Sequence, residues 1–280
     1  MSATSSAPAA PALARATRIG RVTQARVARS EWTKLRSLRS TRWALLVTLL
    51  LIVGIGILAC TVFESRWPNL SPQDKARFLI HRLRINLAGV GIAQLSVGVL
   101  GVLVISGEYS TGMIRSTFSA VPKRLPVLWA KVAVFAAVTF AVTLPAVVVV
   151  FFAGQGILSG RHLQISFSDP GVARAVIGAA LFLTVMGVFG LGIGAIVRHT
   201  AGGIVALVGI MFVLPPILGL LPSSWSDAIN PYLPSNAGGS IWTVTPDPHT
   251  LSPWAGFALF CGYAAASLAI AAVLMRGRDT

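Results

Sequence analysis

Few side chains in this sequence have the type and spacing that chemistry needs. The four histidines, His81, His162, His199 and His249, are scattered over four separate polar stretches, so none is placed to share a metal ion with another. There is no His-Glu-x-x-His run and no Glu-Glu pair. No Gly-Lys pair occurs either, so the phosphate-cradling loop G-x-x-x-x-G-K-[ST] is absent. Cys60 and Cys261 each fall inside an apolar run and read as small buried thiols. No catalytic residue, metal site or cofactor site is expected in this chain. The best-organised polar stretch is residues 107–132, GEYSTGMIRSTFSAVPKRLPVLWAKV. Ser110 or Thr111 can cap a short helix there, and Gly112 lets the chain turn. Ile114, Phe118 and Val121 then share one helical face, and Pro122 ends it before Lys123 and Arg124. The pattern describes a short amphipathic helix on a membrane surface, serving either as an interfacial linker or as a docking helix for a soluble partner.

The elements that must position this stretch are apolar. Of 280 residues 55% are hydrophobic and only 11% charged, against roughly 25% charged in a soluble domain. Six runs approach the ~20 residues that cross a ~30 Å hydrocarbon core: 43–63, 85–106, 127–153, 175–197, 201–221 and 254–275. The expected fold is therefore an all-α integral membrane protein with six transmembrane helices, and the lipid bilayer is its first partner. One helix over 175–221 would measure about 70 Å, too long for one crossing. A tight hairpin at Arg198, His199 and Thr200 is expected instead. Five runs hold no charged residue, and Lys131 in the third is expected to snorkel to the interface. No run contains an Asp or Glu, which argues against a proton relay.

The net charge of +15 does not indicate nucleic acid, because the basic residues flank apolar runs as they do in cytoplasmic loops. With the amino end inside, the inner segments hold sixteen Lys/Arg and the outer segments seven, which predicts both termini in the cytoplasm. The basic stretch at 64–84 goes against that bias. Every tryptophan lies at the end of a run or outside one, the interfacial preference of an amphipathic ring. Residues 1–14 are small, uncharged and proline-bearing and read as a disordered tail, with no secretory signal. Residues 15–42 carry nine Lys/Arg against Glu31 and read as a basic interfacial helix with Trp32, Leu35 and Leu38 as its seam, or as a solvated basic tail. Asn86, Gln94, Thr139, Thr143 and Thr184 lie inside the runs and could line a substrate path or bond between helices. Small residues crowd the fourth run, from Gly178 to Gly194, as close helix packing requires. Pro145 is expected to bend the third run, and Pro215-Pro216 to kink or end the fifth. The proline-rich segment 222–253 is long for a connector and is expected to be a lid.

Residues 30–43, SEWTKLRSLRSTRW, resemble the start of actinobacterial ABC-2-type transporter permeases. Glu108-Tyr109-Ser110-Thr111-Gly112 followed by IRSTFSAVPKR is similar to that family's Glu-x-x-x-Gly motif and coupling helix. The resemblance covers essentially the whole chain. It implies a permease subunit in the cell membrane that pairs with a second permease copy, identical or not, and with separate ATPase subunits that bind the ATP and Mg. Ile114, Arg115 and Phe118 would then dock on the ATPase, on a cytoplasmic coupling helix between the second and third spans. Glu108 and Gly112 would form the junction, with Glu108 pairing to a basic residue of the lead-in helix or remaining a solvated acid at headgroup level. It further implies short re-entrant pieces in 222–253 that close the outer mouth. A non-transporting membrane scaffold or sensor partner would show the same topology.

Overall fold

A computed structural model describes residues 23–112, 124–245 and 250–277. The docking residues Ile114, Arg115 and Phe118 and the tail 1–14 lie outside them. Among the described residues the chain is helical with no strand, in the order α1 (Gln24–Ser37), α2 (Arg39–Arg66), α3 (Pro72–Asn86), α4 (Ala88–Ser110), α5 (Arg124–Ser159), α6 (Val172–Val197), α7 (Thr200–Val208), α8 (Leu214–Leu218), α9 (Ser223–Ile229), α10 (Pro234–Gly239) and α11 (Pro253–Gly277). Six helical stretches are long and apolar enough to cross a membrane: Arg39–Asn69, Pro72–Ser110, Leu125–Ser159, Val172–Val197, Thr200–Leu218 and Pro253–Arg276. Five of the six apolar runs lie wholly within them, and the fifth stretch ends at Leu218, short of 221.

The polar segment before the second run is not a loop. Ser71 caps α3 by accepting from the Asp74 amide, and Pro72 occupies the first turn, where its missing N–H is no loss. Phe78 on α3 stacks on Phe63 of α2 at 3.5 Å between ring centroids, which folds α3 back onto the end of α2. α3 and α4 are separated by Leu87 alone. α5 is one continuous helix of 36 residues with Pro145 inside it, about 54 Å long. The fifth stretch is broken as its proline pair demands. A π turn over Gly209–Val213 precedes Pro215, whose ring would clash with the carbonyl four residues back in an α turn.

α6 is the central element: 78% of its apolar window is buried, against 22% for α2 and 17% for the α7–α8 stretch. α6 ends where Arg198 adopts a left-handed conformation, φ 57°, and the chain turns back at His199, whose ring nitrogen caps α7. Arg198 also donates to the Leu274 carbonyl at 3.1 Å and lies over the Tyr109 ring, joining the hairpin to α11 and α4. In lipid, helices gain little by hiding apolar surface from one another, so close packing must hold them. α4 and α6 achieve it through glycine. A Cβ on Gly101 would stand 2.0 Å from the Gly187 carbonyl oxygen, and one on Gly190 would stand 2.2 Å from that of Gly98. Gly101→Ala is therefore expected to lower stability by about 2 kcal/mol or more. Gly91→Ala, where a Cβ meets nothing within 4 Å, should be neutral or slightly stabilising. Thermal unfolding of the detergent-purified protein checks both; equal midpoints for the two variants would contradict the crossing.

Candidate functional site

The α1 end of the bundle holds a buried cluster of four charges. α1 presents Val27, Glu31 and Leu35 at i, i+4, i+8, and this stripe is its buried face. Val27 packs on Val127 and Ala130 of α5. Of the apolar seam expected from sequence only Leu35 is buried, since Trp32 is 49% and Leu38 45% exposed. A four-residue step follows the 3.6-residue helical turn with a slow drift, and it places an acid in the middle of the buried stripe.

That acid is met from two other helices. Glu31 Oε1 accepts from Lys34 Nζ at 2.8 Å, and Glu31 Oε2 accepts from Lys131 Nζ of α5. Glu108, in the last turn of α4, accepts with Oε1 from both Lys131, at 2.8 Å, and Lys34, at 3.1 Å. Two carboxylates and two ammonium groups thus alternate in a closed ring: Glu31, Lys34, Glu108, Lys131. Glu31, Lys131 and Glu108 are buried, at 2%, 4% and 6% exposure, and Lys34 lies at the rim. The expectation that Lys131 snorkels is corrected. It sits two turns inside α5, and α1 folds over it, so its charge is neutralised within the protein. Glu108 is likewise not a solvated headgroup-level acid.

The ring is net neutral, which is what allows three of its four charges to be buried. Each charge has two opposite neighbours in contact, and isolated burial of any one would be costly. Burial pulls the Lys34 ammonium toward neutrality, but hydrogen bonding and attraction from Glu31 and Glu108 outweigh it and hold its pKa above the ordinary 10.5. Glu108 keeps one oxygen, Oε2, buried and without a hydrogen-bond partner among the described residues. Beyond it, Ser110 and Thr111 bond back to the Gly107 carbonyl, and Gly112 takes φ +70°, a conformation that suits glycine. The chain then enters 113–123.

The five polar residues of the apolar runs behave differently from one another. Asn86 is fully buried and donates across to the Phe151 carbonyl of α5 at 3.1 Å. Gln94, Thr143 and Thr184 each bond a carbonyl three or four residues back in their own helix, and Thr139 Oγ1 has no partner among the described residues. Further polar bonds between helices join Thr48 to Ser96 at 2.9 Å and Ser106 to Thr200 at 2.9 Å. Sequence reasoning missed these and the Glu31–Lys131 pair, but the reading that Glu108 pairs with a basic residue of the lead-in helix is met by Lys34. A signal for the rest was Glu31, a single acid in a segment with nine bases.

Comparison with protein-family models, with curated proteins and with solved structures finds no match. The fold and its charge ring define an all-helical, multi-pass membrane protein whose amino-terminal helix is locked by ion pairs to the start of α5 and the end of α4.

Lys131→Met would leave two buried carboxylates facing each other and should cost about 3–5 kcal/mol. Adding Glu31→Gln to it removes the stranded charge, so the double variant should be more stable than Lys131→Met alone, read as the thermal midpoint. Simple additivity would show that the ring does not act as a unit. A pKa raised in the folded state means that the Lys34 contribution is fully present below pH 10.5 and is lost as pH climbs through the raised value. Limited proteolysis near Leu38 should therefore stay slow up to about pH 10.5 and accelerate only above it.

Proposed function

We propose that this chain is the membrane-spanning permease subunit of an ATP-binding cassette exporter in the cell membrane. It works with a second permease copy and with separate ATPase subunits that bind the ATP and Mg. The observation that carries this reading is the charge ring at the α4–α5 junction. It ties α1, α4 and α5 together on either side of residues 113–123, the segment whose sequence resembles a coupling helix. A permease without a nucleotide site of its own must take its energy from a partner, and a partner shifts a conformational equilibrium only by binding two states differently. Force applied at 113–123 is transmitted when both flanking helices are held stiffly. Four interlocked charges at their junction supply that stiffness, and Glu108, four residues before Gly112, connects the segment to α4. On this reading Ile114, Arg115 and Phe118 contact the ATPase, and the chain contributes no catalytic residue. The outward apolar side chains of α2 (Trp43, Leu50, Leu58) face lipid or the second copy.

Mild purification from the chain's own cells should bring down an ATPase subunit. Phe118→Asp should reduce the ATPase recovered at least tenfold while membrane insertion stays intact. An insertion-competent Phe118→Asp variant that retains the ATPase would refute the docking assignment. Failure of the wild-type chain to recover any ATPase would favour a non-transporting scaffold.

A further inference from the structure

The charge ring uses one face of α1 and leaves the charge on the other face untouched. Arg26, Arg29 and Arg36 lie opposite the buried Val27, Glu31 and Leu35 stripe, within about 80° of one another around the helix axis and over about 15 Å of its length. Leu38 is the single residue between α1 and α2, and beyond it Arg39 and Arg42 extend the patch into the first turn of α2. All five arginines are exposed, and none forms an ion pair with a described residue.

No described acid outside the ring stands at this end of the bundle to cancel their field. Glu31 and Glu108 are bound within the ring. Glu64, Asp74, Asp169 and Asp227 belong to the α3 end. The patch is also not uniformly polar, for Trp32, Leu38 and Trp43 are exposed among the arginines. Water gives no reason to place two indoles beside five guanidinium groups. A headgroup layer does, because it takes up amphipathic rings and basic side chains at the same depth.

Position in the fold agrees. The spanning stretch Arg39–Asn69 starts directly after Leu38, and its uncharged run starts at Trp43. The border between headgroups and hydrocarbon therefore falls near the first turn of α2, and α1 is one residue removed from that turn. α1 is held as well. Its ion pairs to α4 and α5, with Val27 packed on Val127 and Ala130, fix the outward face in advance, so binding there does not have to order the helix.

We infer that the outward face of α1, continued by the first turn of α2, is a docking surface for anionic lipid headgroups of the bilayer that carries the protein. The guanidinium groups donate paired N–H bonds to headgroup phosphate oxygens, and Trp32 and Trp43 anchor at the same level. Each base close to such a surface favours an anionic lipid by about fivefold. The ring thus has a second consequence: by taking up Glu31 it leaves the five arginines without an acid of their own. The inference does not rest on the permease reading and requires only that the chain lies in a membrane.

The test uses the full chain in phosphatidylcholine bilayers with a trace of spin-labelled phosphatidylglycerol or, separately, spin-labelled phosphatidylcholine. Electron spin resonance reads how much of each label the protein restricts in motion. Phosphatidylglycerol should be restricted in excess, and the excess should shrink as sodium chloride is raised, because exposed charges are screened. Replacing Arg26, Arg29 and Arg36 together by Gln should cut the excess at least about twofold. Replacing three exposed bases of the other end, Arg66, Arg77 and Arg84, by Gln removes the same charge and should leave most of it. No excess in the wild-type chain overturns the inference and leaves the face to an acidic soluble partner. An excess that survives the α1 triple substitution, or that falls equally in both triple variants, overturns it too. The substituted side chains are exposed and unpaired, so both variants are expected to fold, and an unshifted thermal midpoint in phosphatidylcholine verifies it. The salt titration of the wild-type chain tests the claim without any substitution: an excess that does not respond to salt is not electrostatic and refutes it.

Discussion

A charge buried between helices is costly unless an opposite charge is brought to it, and the α1 end of this protein is organised by that requirement. Lys131 lies two turns inside α5 and is buried within the protein. The remedy is structural. α1 lies across the start of α5 and delivers Glu31, while the last turn of α4 delivers Glu108. Lys34 then balances the second acid. Without the ring nothing would hold a helix as basic as α1 against the bundle except Val27, Leu35 and their few apolar neighbours. With it, the amino-terminal helix becomes a fixed part of the fold.

The spanning helices obey a different constraint. Lipid tails are as apolar as leucine, so the bundle coheres through close backbone contact and scattered polar bonds rather than expulsion of water. α6 occupies the centre because its glycines let α4 approach it on one side, at Gly187 and Gly190, and α11 on another, where Gly192 faces Ser267. The helices that remain less buried, α2 and α7–α8, keep large apolar side chains outward; Val205 is 71% exposed.

The six apolar stretches were legible in the sequence because bilayer length and lack of charge are properties of a single continuous run. So were the turn at Arg198–His199 and the disturbance before Pro215, since both follow from local chemistry. α3 was hidden by its charge: the five bases of 64–84 looked like a loop, yet Ser71, Asp74 and Pro72 form an ordinary helix start. The ring was illegible for another reason. Its members are separated by 3, 23, 74 and 100 residues, and no periodicity within one helix links them. Only packing reveals which acid meets Lys131.

α4 connects the two ends of the molecule. It carries Glu108 in its last turn and, across the single residue Leu87, continues into α3, which bears Arg84. Its 23 residues extend about 35 Å, the depth of a bilayer core. Along that length it is in backbone contact with α6 at Gly98 and Gly101, so it has little room to bend independently of its neighbour. Asn86, just before the break, is bonded to the Phe151 carbonyl, which holds that end to α5, as Glu108 holds the other through Lys131. An element clamped to the same neighbour at both ends moves with it or not at all. Beyond that clamp the backbone departs from helical geometry twice, at Leu87 and again inside α3 at His81 (φ −110°, ψ 19°).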